Sequence, residues 1–248
     1  MPSTKYVELK RWYGHVLYRR FSLLHVILKT YGIPPMLRSI AWLLLLISPL
    51  TACAQAPAGP PQAGVDYELL ERGQRWRAPD GKIEVVEVFA YWCSHCADFQ
   101  AVVDAWKRTM PADVSFSYVP AAFNAEDVYG KAYFAAESAK AVAKIHQPLF
   151  DAIHKDGVLP RSNATADEIG TWLAQRGLNR AKMVGLMQSK AVAAQMTRAR
   201  AFAAANRVEG TPTLVVNGKY VVRASAYKDR MRVLDALIAL ERAAAKKR

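Results

Sequence analysis

Two cysteines with two residues between them, Cys93-Ser94-His95-Cys96, follow an apolar, β-branched run from Ile83 to Tyr91 and open a segment with helical periodicity. A strand that delivers two sulfurs to the first turn of a helix sets them among unpaired N–H groups. There the positive end of the helix dipole also favours a thiolate over a thiol. The short spacer keeps the second sulfur close enough to close a small disulfide ring. The same spacing occurs in half of a zinc site and in a haem-attachment motif. Structural zinc needs four ligands, yet the chain has three cysteines, and the third, Cys53, lies in a targeting segment. His146 and His154 are eight apart across Pro148, and Ala97 stands where haem attachment requires histidine. A redox pair remains, and it calls for no metal and no cofactor.

The N-terminal region does not read as globular. Arg38 precedes the apolar stretch Ile40 to Ile47, and Ser48-Pro49-Leu50-Thr51-Ala52-Cys53 follows. A basic residue, an apolar stretch too short to span a bilayer and a small-residue processing site make an export signal over residues 1–53. Within it, Met36 begins a signal of ordinary length, 36–53. Leu50-Thr51-Ala52-Cys53 resembles the bacterial lipobox, which makes Cys53 a lipidation site and explains an odd cysteine in an oxidising compartment. Cleavage after Ala54, giving a soluble periplasmic protein, is the alternative. Residues 54–65, with Pro57, Pro60 and Pro61, read as a spacer. The chain of 248 residues carries a formal charge of +13. Removing residues 1–53 leaves 27 basic and 20 acidic side chains, net +7, dispersed and without an aromatic-interleaved stripe. That is a solvated basic surface, which argues against nucleic acid as a partner.

Beyond the cysteines, Phe99, Val102, Val103 and Trp106 keep helical spacing up to Pro111, and Val114–Val119 alternates as a half-buried strand does. Residues 125–206 are Ala-rich and helical in texture. Thr165 and Glu168 form a capping box for a helix that ends near Gly177, and one further helix is expected over about Lys182–Ala205. β-like sequence returns at 210–222, where Asn217-Gly218 marks a two-residue hairpin turn. A last helix begins near Lys228. The order is β-α-β, about eighty helical residues, then β-β-α.

This arrangement resembles the DsbA family: thioredoxin-like α/β proteins with an all-helical domain inserted into the fold. The resemblance rests on Cys93-Ser94-His95-Cys96 after an aromatic strand end, on Gln147-Pro148-Leu149-Phe150, and on Gly210-Thr211-Pro212 before Val216-Asn217-Gly218-Lys219-Tyr220. It implies a thioredoxin-like domain from residues 66–123 and 207–248 around an inserted domain of residues 124–206. Cys93, at the helix start, is the expected nucleophile, and Cys96, one turn in, the resolving partner. His95 is expected to offer charge or a donor to the Cys93 thiolate. Ser94 stands where the family often has proline. The resemblance also implies that Pro212 is cis and that Thr211 and Pro212 form an edge for an extended substrate.

Glu87 shares strand parity with Val85, Phe89 and Tyr91. It is therefore expected to be buried with a raised pKa and to relay a proton for Cys96. The lysine that partners this acid in the family is not evident, since Phe116 or Ser117 occupies the corresponding place. Trp106, Trp172, Met183 and Met187 read as core.

The implied activity is a dithiol oxidase, a monomer that gives its disulfide to unfolded exported proteins and is reoxidised by a quinone-linked, DsbB-like inner-membrane partner. Two alternatives remain: a disulfide isomerase or reductase on the same fold, and a redox-inactive, lipid-anchored peptide-binding module. Only about thirty residues separate Cys53 from the first expected strand, which leaves no room for an isomerase's dimerisation domain.

Overall fold

The computed structural model describes residues 59–246. The export signal, Cys53 and the first residues of the spacer lie outside the described residues. In chain order the elements are β1 (Tyr67–Leu69), β2 (Ile83–Phe89), α1 (Ser94–Lys107), β3 (Val114–Pro120), α2 (Val128–Ser138), α3 (Val142–His154), α4 (Ala166–Ala174), α5 (Arg180–Met187), α6 (Lys190–Ala205), β4 (Thr213–Val216), β5 (Tyr220–Val222) and α7 (Tyr227–Ala245). No helix among the described residues is long and apolar enough to cross a membrane.

One sheet runs in the order β1-β5-β4-β2-β3. β2 and β3 are parallel, joined through α1, and the remaining pairings are antiparallel. All seven residues of β2 are buried, as expected for a strand covered on both faces. Alternation along it sends Glu84, Val86 and Val88 to one face and Val85, Glu87 and Phe89 to the other. On Glu87's face, Phe89 sits in a cluster of rings from Tyr91, Tyr118, Tyr133, His146 and Phe150. A fully buried Phe such as Phe89 contributes about 1.5–3 kcal/mol by leaving water. On the other face Glu84 is also buried, but it accepts hydrogen bonds from the N–H groups of Trp76 (2.9 Å) and Arg77 (2.6 Å). Two carboxylates on one strand therefore have opposite fates, one satisfied and one bare.

Three elements differ from expectation. β1 is only three residues long and is ordered by pairing with β5, a contact across 155 residues that local patterning does not encode. The single helix expected over 182–205 is two, α5 and α6. Ser189 interrupts it by turning its hydroxyl onto the Val192 N–H as an N-cap (3.2 Å). In the hairpin, Asn217 and Gly218 both have positive φ, and Lys219 N–H closes the turn onto Val216 O (2.8 Å), leaving three residues between β4 and β5. Gly218 is required there for a second reason: a Cβ would lie 2.4 Å from the Gln74 carbonyl carbon. The capping box is present, with Thr165 Oγ1 accepting from Glu168 N–H and Glu168 accepting from Thr165 N–H. Trp172, Met183 and Met187 are buried, whereas Trp106 is half-buried and donates to Asp235 (2.9 Å).

Candidate active site

Cys93 is the N-cap of α1, in extended conformation at φ −82°, ψ 116°. That geometry turns its sulfur back over the first helical turn, where Sγ accepts the Cys96 N–H at 3.3 Å. Cys93 is 8% exposed and Cys96 fully buried, and both are thiols in this structure. The Cys96 thiol, the Thr211 side chain and the backbone of Cys96 and His95 all favour the Cys93 thiolate. The first of these is the strongest, and together they outweigh burial and hold the Cys93 thiol down to about 5. Cys96 moves the opposite way. Burial, then the bond it gives to Cys93, then the Cys93 and Glu87 charges push its thiol far up. One sulfur ionises readily and the other resists ionisation.

Across from Cys93 lies the loop before β4. Cys93 Sγ is 3.4 Å from Thr211 O, and the Thr211–Pro212 bond is cis. Thr211 is half-buried. His95 is exposed and its ring lies against Tyr227, with Nδ1 3.3 Å from the hydroxyl. The influence of His95 on Cys93 comes from its backbone rather than its ring.

Glu87 is 1% exposed, and neither carboxylate oxygen has a hydrogen-bond partner. Loss of water pushes its carboxyl up to about 8; the Lys107 ammonium pulls it back only in part and Asp104 opposes that pull. The residue opposite Glu87 on β3 is Tyr118, not Phe116 or Ser117. Tyr118 OH accepts from Gln100 Nε2 (2.7 Å) and Lys107 Nζ (3.3 Å). The basic charges felt at Glu87 are Lys107, in the last turn of α1, and, more weakly, Arg230 of α7. His146 was weighed in the sequence only as a metal ligand. It is buried against Tyr118 and shares a 2.8 Å hydrogen bond with Tyr91 OH, and burial holds its ring down to about 3, so it is neutral. Its position before Gln147-Pro148 on an amphipathic segment was the available signal; Lys107 and Tyr118 offered none.

Residues 77–236 match the thioredoxin family model. The thiol:disulfide interchange protein DsbA of Pseudomonas aeruginosa is 39% identical over 189 residues, covering 75% of this chain and 88% of that protein. The chain belongs to the DsbA family. DsbA of Azotobacter vinelandii is likewise 39% identical, over 67% of this chain and 78% of its own length. Among solved structures, the oxidoreductase DsbA from Xylella fastidiosa superposes with a TM-score of 0.72 at 37% identity, covering 74% of this chain and 98% of that one. The crystal structure of Pseudomonas aeruginosa DsbA gives 0.69 at 37% identity, over 75% and 97%. This DsbA-family chain is a thiol:disulfide oxidoreductase with a thioredoxin-like fold, and its homologues support a dithiol oxidase role.

Proposed function

We propose that the Cys93–Cys96 disulfide is passed to unfolded exported proteins in the periplasm, with roles divided as the site chemistry suggests. A substrate thiolate attacks Cys93 Sγ, the Cys93–Cys96 bond breaks, and Cys96 leaves with the electron pair. Its strong preference for the thiol form draws a proton, and Glu87, protonated near neutral pH, is the group able to supply it. A second substrate thiolate then attacks the substrate sulfur of the mixed disulfide and expels Cys93 as a stabilised thiolate. The substrate dithiol is oxidised and the enzyme pair reduced. Thr211 and Pro212 supply the edge on which the substrate backbone lies.

A quinone-linked inner-membrane partner of the DsbB type returns the pair to the disulfide, and lipid on Cys53 holds this monomer at the membrane. The observation that carries the reading is the Cys93 sulfur at the N-cap of α1, where it accepts the Cys96 N–H and its thiol is held down to about 5, which stabilises the reduced state and so makes the disulfide a strong oxidant.

The test is stoichiometric. Oxidised protein mixed with a reduced, unfolded, multi-cysteine protein should introduce disulfides while its own pair becomes reduced. Reshuffling of a scrambled substrate without net oxidation would instead establish an isomerase.

A further inference from the structure

The β2–β4 ladder ends at the Val88–Thr213 pair. Beyond it, Cys93 and Thr211 approach each other from two loops that the sheet no longer joins. Yet a polypeptide substrate must meet both at once, its sulfur on Cys93 and its backbone along Thr211. A small dithiol needs only the sulfur. The separation of the two loops therefore bears on polypeptide substrates in particular, and something other than the sheet must set it.

We propose that Tyr227 and Arg230, three residues apart at the start of α7, are positioning residues that staple the cysteine loop to the Thr211–Pro212 edge. Tyr227 OH donates to His95 O at 3.1 Å. The same hydroxyl oxygen lies 3.3 Å from Nδ1 of the His95 ring, so both backbone and ring of His95 are tied to α7. Arg230 holds the other loop. Its Nη1 donates to Pro212 O at 2.6 Å and its Nε to Ala224 O at 2.8 Å. Residues i and i+3 share a helix face, so one turn of α7 reaches both loops.

Phe99, fully buried on α1, completes the staple. Its ring centroid lies 5.2 Å from that of Tyr227, and the Arg230 guanidinium sits 5.9 Å from each ring. The planar fork of arginine suits this place, because it reaches two carbonyls while stacking on aromatic faces, which a lysine cannot do.

The inference rests on the docking role given to Thr211 and Pro212, and the experiment separates the two. Oxidised wild type, Arg230→Met, Arg230→Lys, Tyr227→Phe and Pro212→Ala are compared on a cysteine-containing peptide and on dithiothreitol. Arg200→Met, an exposed site on α6, serves as control. Loss of the fork should raise KM for the peptide about tenfold, the loss of one charge-assisted contact or so, with kcat and the dithiothreitol rate moving less than about threefold. Arg230→Lys keeps the charge that Glu87 feels but loses the fork, so it should also raise the peptide KM. Tyr227→Phe should raise it too and should shift the NMR resonances of the His95 ring nitrogens. This readout does not depend on overall stability.

A wild-type peptide KM in Arg230→Met, or full rescue by Arg230→Lys, overturns the staple. If Arg230→Met has no effect while Pro212→Ala still slows release of the peptide, the staple alone falls. If neither has any effect, the docking edge falls with it. Equal losses on peptide and dithiothreitol also overturn the proposal, because they would mark a general effect on the sulfur.

Discussion

Cys93 Sγ and Thr211 O lie 3.4 Å apart although 118 residues of sequence separate them. Everything between them, including the five helices α2–α6, leaves from one side of this contact and returns to the other. The readily ionised sulfur and the Thr211–Pro212 loop are thus built by different parts of the chain. On the docking role proposed for that loop, the substrate bridges them.

The asymmetry of the two sulfurs leads to a trapping prediction. Cys93→Ser should abolish oxidase activity, whereas Cys96→Ser should accumulate mixed disulfides with substrates through Cys93. In the reduced protein at mildly acidic pH, Cys93 should be alkylated first, because it alone is partly ionised there. Faster modification of Cys96 under those conditions would reverse the assignment of roles.

Glu87 should limit stability while serving the reaction. Its folded pKa, about 8, lies above the value of 4.5 for a free carboxyl. A raised value means that the carboxyl's cost to folding is absent below pH 4.5 and grows as pH rises towards 8, since the unfolded chain ionises and the folded one does not. Glu87→Gln should therefore stabilise the protein at pH 7 by about 1–3 kcal/mol, after allowance for the amide's own unmet hydrogen bonds. The gain should shrink towards pH 5, and the variant should transfer disulfides more slowly. Denaturant melts at the two pH values give the answer; an equal effect at both would show that Glu87 is not held neutral.

The parts of this site that were legible in the sequence are those with local causes. Cys93 as an N-cap follows from a strand running into helical periodicity, and the burial of Glu87 follows from its parity with Val85 and Phe89. Strand β1 was not legible, because three residues gain order only from Val221 and its neighbours far along the chain. The break before α6 had a signal in Ser189 that the surrounding alanines masked. The contacts of Tyr227 and Arg230 were out of reach for another reason: polar residues at a helix start look alike until tertiary packing shows which carbonyls they meet. For the same reason, Lys107 as the strongest basic influence on Glu87 emerges only from the way α1 lies over Tyr118.

Pro212 has no N–H to offer, so beside the sulfur this position cannot donate to a bound peptide. Pro212→Ala restores a donor at the docking edge and leaves the groups around Cys93 in place. The expected outcome is slower release of substrate from the mixed disulfide with little change in Cys93 ionisation, read by ultraviolet absorbance of the thiolate. Release at the wild-type rate would remove Pro212 from substrate handling.

Maturation at Cys53 makes a direct prediction. Mass spectrometry of the protein from membranes should find a diacylglycerol-modified Cys53 as the first residue. A free N-terminus at Gln55 in a soluble fraction would replace the lipid anchor with ordinary cleavage after Ala54.

The central claim is that this fold stabilises the dithiol state over the disulfide, and paired denaturant melts test it. Cys93 drops from an ordinary thiol value of 9.0 to about 5 in the folded protein. For a group depressed in this way, the stabilisation is complete above the unfolded value and disappears as pH falls through the folded one. Each pH unit in between is worth about 1.4 kcal/mol. The disulfide carries no charge to gain from the same donors, and a cross-link ordinarily adds stability instead. Reduced protein should therefore unfold at higher denaturant than oxidised protein at pH 7, and the gap should narrow as pH is lowered towards 5. If the oxidised form proves the more stable at pH 7, the donors around Cys93 do not favour reduction, and the oxidase account fails.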